Sequence, residues 1–251
     1  MFPFDDNSNI VMACHLTGIY DVNRNTTLKD NDYSLVEEWA ESMAALQLNA
    51  IIFHNNFDAE TCRKYQNKKL AFIQVKHSLH YNPNIYRYFI YQDFLRLHKQ
   101  KVCSIFLTDI TDVVVLKNPF IQLLFIDNPL SIFCGDEPEI LNNKWMKAHS
   151  THLRSRIADY ENYEETYKNE MLLNCGIIGG SGKIMEQFIE EICGIHQLYN
   201  HDNVSAFTGD MGAFNYLIRT RFNGQIIHGN PLNTQFKSYQ SNRIDCWFRH
   251  K

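Results

Sequence analysis

The chain has 251 residues, of which 45% are hydrophobic and 21% charged, and its formal net charge is −4 at pH 7. This balance is typical of a folded globular protein and excludes wholesale disorder. The slight negative charge gives no electrostatic footprint for nucleic acid. A single domain over residues 1–251 is the expectation for this length.

The cysteines and the apolar runs predict the compartment. Seven cysteines are scattered along the chain, mostly inside apolar runs and without a C-x-x-C pair, which is typical of buried thiols in a reducing compartment. No apolar run reaches the roughly 18 residues that a membrane span requires, and the first residues carry acids where a signal peptide would carry positive charge. We therefore expect a cytoplasmic chain without a transmembrane segment.

The first part of the chain is predicted to alternate between strands and helices. A polar loop that contains Thr17 follows the first strand, and Ser34 with Glu37 forms an S-x-x-E capping box ahead of apolar residues at helical spacing. Alternating strands and helices are typical of a parallel α/β sheet. The predicted elements are strand 9–15, helix 34–47, strand 50–53, helix 58–66, strand 71–75 and helix 84–98.

An acidic turn between two apolar runs is the most informative stretch. The run 102–107 is almost continuously apolar, which favours a strand buried on both faces, and Asp109 and Asp112 follow it. Ligands of open α/β sheets bind at the carboxyl ends of the strands, so we expect both carboxylates in the binding crevice. A divalent metal would relieve their repulsion, and oxygen ligands suit Mg²⁺ or Mn²⁺. An isolated D-x-x-D also occurs as a solvated turn, so its context decides.

The second half is predicted to continue the sheet with one polar excursion. A short helix begins at Pro119, and a further strand ends in the acids Asp136 and Glu137. Residues 142–170 are the most polar stretch and are expected to form a loop-and-helix excursion that serves as an acceptor-side lid, with a disordered insertion as the alternative. The apolar, glycine-containing run 172–183 then precedes a helix, and its glycines permit close backbone approach.

The last predicted elements carry an acid and a histidine. Thr208 is expected to cap a helix over 209–220 with Asp210 in its first turn, where the helix dipole favours an acid. A short strand over 225–228 ends at His228, and a loop leads on to Lys237. The HxxH pairs 77/80 and 149/152 have no partner at zinc-site spacing, so they are not interpreted as metal sites.

In this order the motifs resemble those of the GT-A glycosyltransferases, nearest to family 8, which includes glycogenin and bacterial galactosyltransferases. The stretch FLTDITDVVVLKNPF stands where that family has a D-x-D at the end of a buried strand, with the same trailing apolar run and N-P-F. Asn174 and Gly176 resemble its asparagine-glycine element, and Asp210 resembles its aspartate-led helix. The segment from His228 to Lys237 resembles its histidine-glycine-lysine element.

The resemblance implies an α/β GT-A fold, with a mixed, mainly parallel sheet flanked by helices and divided into a Rossmann-like nucleotide-binding half and an acceptor half. It implies an enzyme that uses Mn²⁺ or Mg²⁺ to transfer a sugar from a nucleotide-diphosphate sugar, with UDP as the expected nucleotide, to a glycan or another hydroxyl acceptor. The implied roles are metal ligation by Asp109, Asp112 and His228, donor binding by Thr17, Arg87, Asn174, Gly176 and Lys237, and catalysis by Asp210.

Two departures from the family pattern leave alternatives open. The motif is D-x-x-D rather than D-x-D, and the last element lacks the usual K-P-W ending. Retention would need no dedicated base, whereas inversion would need a carboxylate such as Asp210, Asp136 or Glu137. The chain could instead be a non-catalytic nucleotide-sugar or glycan-binding module of a larger multidomain protein. A metal-dependent phosphatase is a further alternative, although its motif needs an aspartyl nucleophile two residues before the acid.

Overall fold

A computed structural model describes residues 2–21, 26–78, 80–200, 209–238, 240 and 242–251. Its strands are β1 Ser8–His15, β2 Tyr20–Asp21, β3 Thr26–Thr27, β4 Asn49–His54, β5 Leu70–Gln74, β6 Val102–Thr108, β7 Val113–Val115, β8 Ile132–Ile140, β9 Met171–Ser181, β10 Ile226–His228 and β11 Phe248–His250. Its α-helices are α1 Ser34–Ala45, α2 Ala59–Tyr65, α3 Pro83–His98, α4 Leu123–Ile126, α5 Lys144–His149, α6 Thr151–Arg154, α7 Tyr160–Tyr167, α8 Gly182–Tyr199 and α9 Asp210–Arg221.

Seven strands form one sheet in the order β10-β8-β9-β6-β1-β4-β5. Neighbouring strands are parallel except at β9, which is antiparallel to both β6 and β8. The predicted α/β class with a mixed, mainly parallel sheet flanked by helices is therefore confirmed. Because six strands run the same way, their carboxyl ends lie along one edge, which is where such sheets bind ligands.

Both faces of the sheet are covered, as the continuous apolar runs of its central strands require. Side chains alternate along β1, so that Ile10 and Met12 join one hydrophobic cluster while Val11 and Ala13 join another. Helices α3, α8 and α9 pack on the first face. Helix α1 packs on the second face through Trp39, together with the two-stranded sheet of β7 and β11.

The structure corrects the predicted start of α1. The N-cap position is Tyr33 and makes no side-chain hydrogen bond, while the Ser34 hydroxyl donates to Asp32 Oδ1 at 2.6 Å. The S-x-x-E capping box of Ser34 and Glu37 is therefore not formed, because the aspartate two residues earlier takes the hydroxyl. Thr208, the predicted cap of α9, lies outside the described residues, and Gly209 occupies the N-cap position of that helix.

The stretch 142–170 carries three short helices, α5, α6 and α7. The hydroxyl of Tyr160 donates to the carbonyl of Gly212 at 3.1 Å, which ties the stretch to α9. Arg154 makes two hydrogen bonds to Glu164, each 2.7 Å long. These contacts connect α6 to α7 and α7 to α9.

The short antiparallel pair of β7 and β11, outside the main sheet, was not predicted from the sequence. Strand β11 pairs with β7, with Phe248 opposite Val115 and His250 opposite Val113. The carboxyl end of the chain therefore lies beside the acidic turn. Among the described residues, no helix has both the length and the apolar character to cross a membrane.

Candidate functional site

The acidic turn begins where β6 ends and is braced from two sides. The backbone N–H of Asp109 donates to the carbonyl of Gly176 at 2.7 Å, which joins the turn to β9. The indole of the buried Trp39 donates to the Thr108 hydroxyl at 2.8 Å. Strand β7 then begins directly after Asp112. Both aspartates are thereby fixed at the carboxyl edge of the sheet, as the sequence predicts.

His250 joins the two aspartates through the pairing of β11 with β7. The N–H of Lys251 donates to the carbonyl of Asp112 at 2.9 Å, and the N–H of His250 donates to the Thr234 hydroxyl at 2.9 Å. One ligand atom each of Asp109, Asp112 and His250 lies within 4.8 Å of the others. His250 Nε2 is 4.0 Å from Asp109 Oδ2.

The chemistry of this group fits a divalent metal ion. The His250 side chain is 1% exposed, and neither ring nitrogen has a hydrogen-bond partner among the described residues. A buried polar atom without a partner is costly, and a metal bound there would remove that cost. Burial also lowers the pKa of His250 to about 4, which keeps the imidazole neutral and its lone pair available to a metal. Carboxylate oxygens and a neutral imidazole nitrogen are both ordinary ligands of divalent metal ions.

Arg87 orients one of these carboxylates. It lies on α3, with its side chain 12% exposed, and its Nη1 donates to Asp109 Oδ1. Its Nη2 lies 3.4 Å from the carbonyl of Cys175, which anchors the guanidinium to β9. Since Oδ1 of Asp109 accepts from Arg87, Oδ2 is the oxygen turned toward His250.

Gly176 leaves room for the same group. A Cβ at this position would lie 2.5 Å from His250 Cε1, 2.7 Å from Asp109 Oδ2 and 2.9 Å from Asn174 Oδ1. All three distances are shorter than ordinary van der Waals contact, so only a residue without a side chain fits. The resemblance assigns Gly176 to donor binding, and the structure places it directly beneath two of the candidate metal ligands.

A cavity of about 610 Å³ opens over this edge of the sheet. Its volume lies within the range typical of small-molecule sites, about 300–1,000 Å³. Several predicted site residues that are far apart in the sequence share its wall. These residues are Arg87, Asp109, Asp112, Asn174, Gly176, Asp210 and Lys237.

Asn174 connects Gly176, which lies beside the candidate metal ligands, to a further acid, Glu137. Its Oδ1 accepts from the N–H of Gly176 at 2.7 Å, and its Nδ2 donates to Glu137 Oε1 at 2.8 Å. Glu137 lines the cavity from β8 and is 7% exposed. Burial raises the pKa of Glu137, while the hydrogen bond from Asn174 and the positive charge of Lys237 act in the opposite direction.

Asp210 lies at the start of α9 and meets a histidine from the polar excursion. His149 Nε2 is 3.0 Å from Asp210 Oδ1, and both side chains are nearly buried. The ring of Trp145 stacks on His149, with 4.5 Å between centroids and an interplanar angle of 22°. The excursion thus contributes one wall of the cavity through α5.

Two predicted site residues lie elsewhere. His228 Nδ1 is 3.0 Å from Asp136 Oδ2, and the candidate metal-ligand group contains His250 in the place predicted for His228. Thr17 is 2% exposed, with its hydroxyl donating to Asp30 Oδ1 at 2.9 Å, so it braces the loop after β1. The structure does not bring either residue to the two aspartates.

His250 is the residue that the sequence analysis missed. A signal for it exists, because Cys246, Trp247 and Phe248 form a short apolar run with a polar residue and then His250 after it. The same arrangement of an apolar run followed by a polar group drew attention to Asp109. A run this short cannot establish a strand by periodicity alone.

The chain matches no protein-family model and no curated protein sequence.

Proposed function

We propose that this protein is a metal-dependent glycosyltransferase that moves a sugar from a nucleotide-diphosphate sugar, with UDP as the expected nucleotide, to the hydroxyl of a glycan or another acceptor. The observation that carries the proposal is the group of Asp109, Asp112 and His250 on the wall of a cavity at the carboxyl edge of the sheet. The motif resemblance to GT-A enzymes of family 8 supports it from the sequence side. The mixed, mainly parallel sheet is compatible with that family.

Each residue near the candidate metal centre has a part in the proposed reaction. Asp109, Asp112 and His250 would hold Mn²⁺ or Mg²⁺, and an imidazole among the ligands favours Mn²⁺. The metal would neutralise charge that develops on the diphosphate leaving group. Arg87 holds Asp109 in one orientation, which fixes the ligand before the donor arrives. Lys237, on the cavity wall, supplies a second positive charge for the diphosphate.

Two acids that line the cavity, Asp210 and Glu137, bear on the stereochemistry of the proposed transfer. With retention, the leaving phosphate oxygen takes the acceptor proton, and Asp210 and Glu137 only bind sugar hydroxyls. With inversion, a carboxylate must take that proton; Asp210 and Glu137 line the cavity, whereas Asp136 does not line it and is paired with His228. Both oxygens of Asp210 have a partner, His149 for Oδ1 and the Cys175 thiol for Oδ2, whereas only one oxygen of Glu137 is engaged, by Asn174, so Glu137 is the carboxylate better suited to act as a base. The configuration of the product, read by NMR, distinguishes the two routes.

The experiment is a panel of nucleotide-sugars with Mn²⁺, in which thermal stabilisation and release of nucleoside diphosphate are both measured. The proposal expects Mn²⁺-dependent release with at least one donor, and a loss of release in Asp112→Asn. Stabilisation without release from any donor would identify a binding module instead. Metal-dependent phosphate release from simple phosphomonoesters, with nucleotide-sugars inert, would identify a phosphatase.

A further inference from the structure

The strand order divides the cavity into two sides. From one side to the other the strands are β1, β6, β9 and β8, which at the usual spacing of neighbouring strands span about 14 Å. The aspartates follow β6, and Asn174 lies on β9 next to them. Glu137, which lines the cavity from β8, therefore lies across Asn174 from the loop after β1. Helix α5 follows β8 in the chain, and its Trp145 and His149 line the same cavity. This side contains Glu137, Trp145 and His149.

Trp145 is an exposed aromatic ring held in a fixed place. It is 43% exposed although it lines the cavity, whereas the other two tryptophans, Trp39 and Trp247, are 1% and 2% exposed. Stacking on His149, which in turn meets Asp210, restricts its orientation. A rigid aromatic ring left open in a cavity is typical of a surface on which the apolar face of a ligand packs.

Glu137 supplies the polar partner on the same side. One side-chain oxygen accepts from Asn174, and the Glu137 side chain makes no other hydrogen bond among the residues that the structure describes. Its second oxygen can therefore accept from a ligand, and ionised carboxylates form strong hydrogen bonds with hydroxyl donors. Lys237 and His149 lie close enough to Glu137 for their charges to lower its pKa. The same two residues flank Trp145, because His149 stacks on its ring and Lys237 Nζ lies 5.9 Å from the ring centroid. The aromatic ring and the carboxylate thus belong to one subsite.

We propose that Trp145 and Glu137 form an acceptor subsite that binds a pyranose ring, so that the acceptor is a glycan. A pyranose presents C–H groups on one face, which pack on the indole, and hydroxyls around its edge, which donate to the carboxylate. A serine side chain offers no such face, and a phenol offers no second hydroxyl. Calling the bound sugar an acceptor rests on the proposed function, but the binding of a sugar at this subsite does not require transfer.

Tryptophan fluorescence tests the subsite without a donor. Because only Trp145 of the three tryptophans is exposed, a ring packed on it should shift emission to shorter wavelength and protect it from acrylamide quenching. The probes are methyl pyranosides and disaccharides, with phenol, uridine and a serine peptide as comparators. A saturable shift with at least one sugar, and a smaller response to all three comparators, is the expected result. A response confined to phenol or uridine, or no response to any probe, would overturn the proposal.

Variants separate stacking from a general loss of folding. Trp145→Ala should raise the Kd for the responding sugar, read by saturation-transfer NMR, about tenfold, which corresponds to about 1.4 kcal/mol. Trp145→Phe should recover much of that affinity, and Glu137→Ala should weaken binding in the same direction. Leu97→Ala, which truncates a side chain that is 77% exposed and does not line the cavity, is the matched control.

The outcomes also separate this proposal from the proposed function. If sugars bind at Trp145 but no nucleotide-sugar releases its diphosphate, the transferase is rejected and the sugar subsite stands. If transfer occurs and Trp145→Ala changes neither the Kd for the sugar nor the KM for the acceptor, the subsite is rejected and the transferase stands.

Discussion

Replacing Gly176 with alanine tests the candidate metal centre through its packing. The added Cβ would lie 2.5 Å from His250 Cε1 and 2.7 Å from Asp109 Oδ2. Both neighbours are attached to braced backbone, since Asp109 bonds to the Gly176 carbonyl and His250 is held by Thr234. The side chains of Asp109 and His250 must therefore move apart, which separates the two ligand atoms.

The size of the effect follows from two opposing terms. Overpacking of this kind lowers the free energy of unfolding by about 1–3 kcal/mol, while replacing a strand glycine with alanine raises it by about 0.5–1 kcal/mol, because the unfolded chain then has less conformational entropy. We expect Gly176→Ala to be less stable by about 1–2 kcal/mol. Changes that disturb only the outer support of a metal ligand already reduce metal affinity about 10–100-fold. Displacing two of the proposed ligands, Asp109 and His250, should reduce Mn²⁺ affinity by at least that much.

Urea unfolding and calorimetric titration with Mn²⁺ measure the two effects separately. Gly194→Ala is the matched control, because Gly194 lies within α8 and a Cβ there would meet no atom within 4 Å. That variant should gain up to about 1 kcal/mol of stability from helix propensity, with unchanged Mn²⁺ affinity. Native Mn²⁺ affinity in Gly176→Ala would refute the assignment of Asp109 and His250 to one metal centre.

Three further predictions concern single side chains. Asp112→Asn keeps the shape of a ligand but loses its charge, so Mn²⁺-dependent release of nucleoside diphosphate should fall at least tenfold with little change in Tm; near-native turnover would exclude Asp112 as a ligand. His250→Ala should weaken Mn²⁺ binding measured by calorimetry, whereas His228→Ala should leave it within twofold of native; the reverse order would restore the sequence-based assignment. Burial lowers the pKa of His196 to about 3, so the unfolded state binds more protons between about pH 6.5 and pH 3, and stability falls as pH falls through that window. At pH 4.5 this proton uptake lowers the free energy of unfolding by roughly 3 kcal/mol. The free energy of unfolding of His196→Gln in urea should lack that part of the pH dependence, and the same dependence on pH as in the native chain would contradict the prediction.

The sequence by itself determined the sheet and the position of the acids. Continuous apolar runs identified β1, β4 and β6, and the rule that ligands bind at carboxyl ends placed Asp109 and Asp112 at the correct edge. These features are local, because a buried strand must be apolar along its length and a polar residue after it must lie at the sheet edge. Helices α1, α3 and α8 were predicted from apolar residues at helical spacing, which is also a local feature of the sequence.

The partners of those acids were decided by the tertiary structure alone. His250 reaches Asp109 through the pairing of β11 with β7, two strands of three residues each that are distant in the sequence. Strands this short contain too few residues to show a period, and nothing local specifies which distant segment completes the pair. The same limit applies to His228, whose position at a strand end was predicted correctly but whose acid partner, Asp136, depends on how neighbouring strands are aligned.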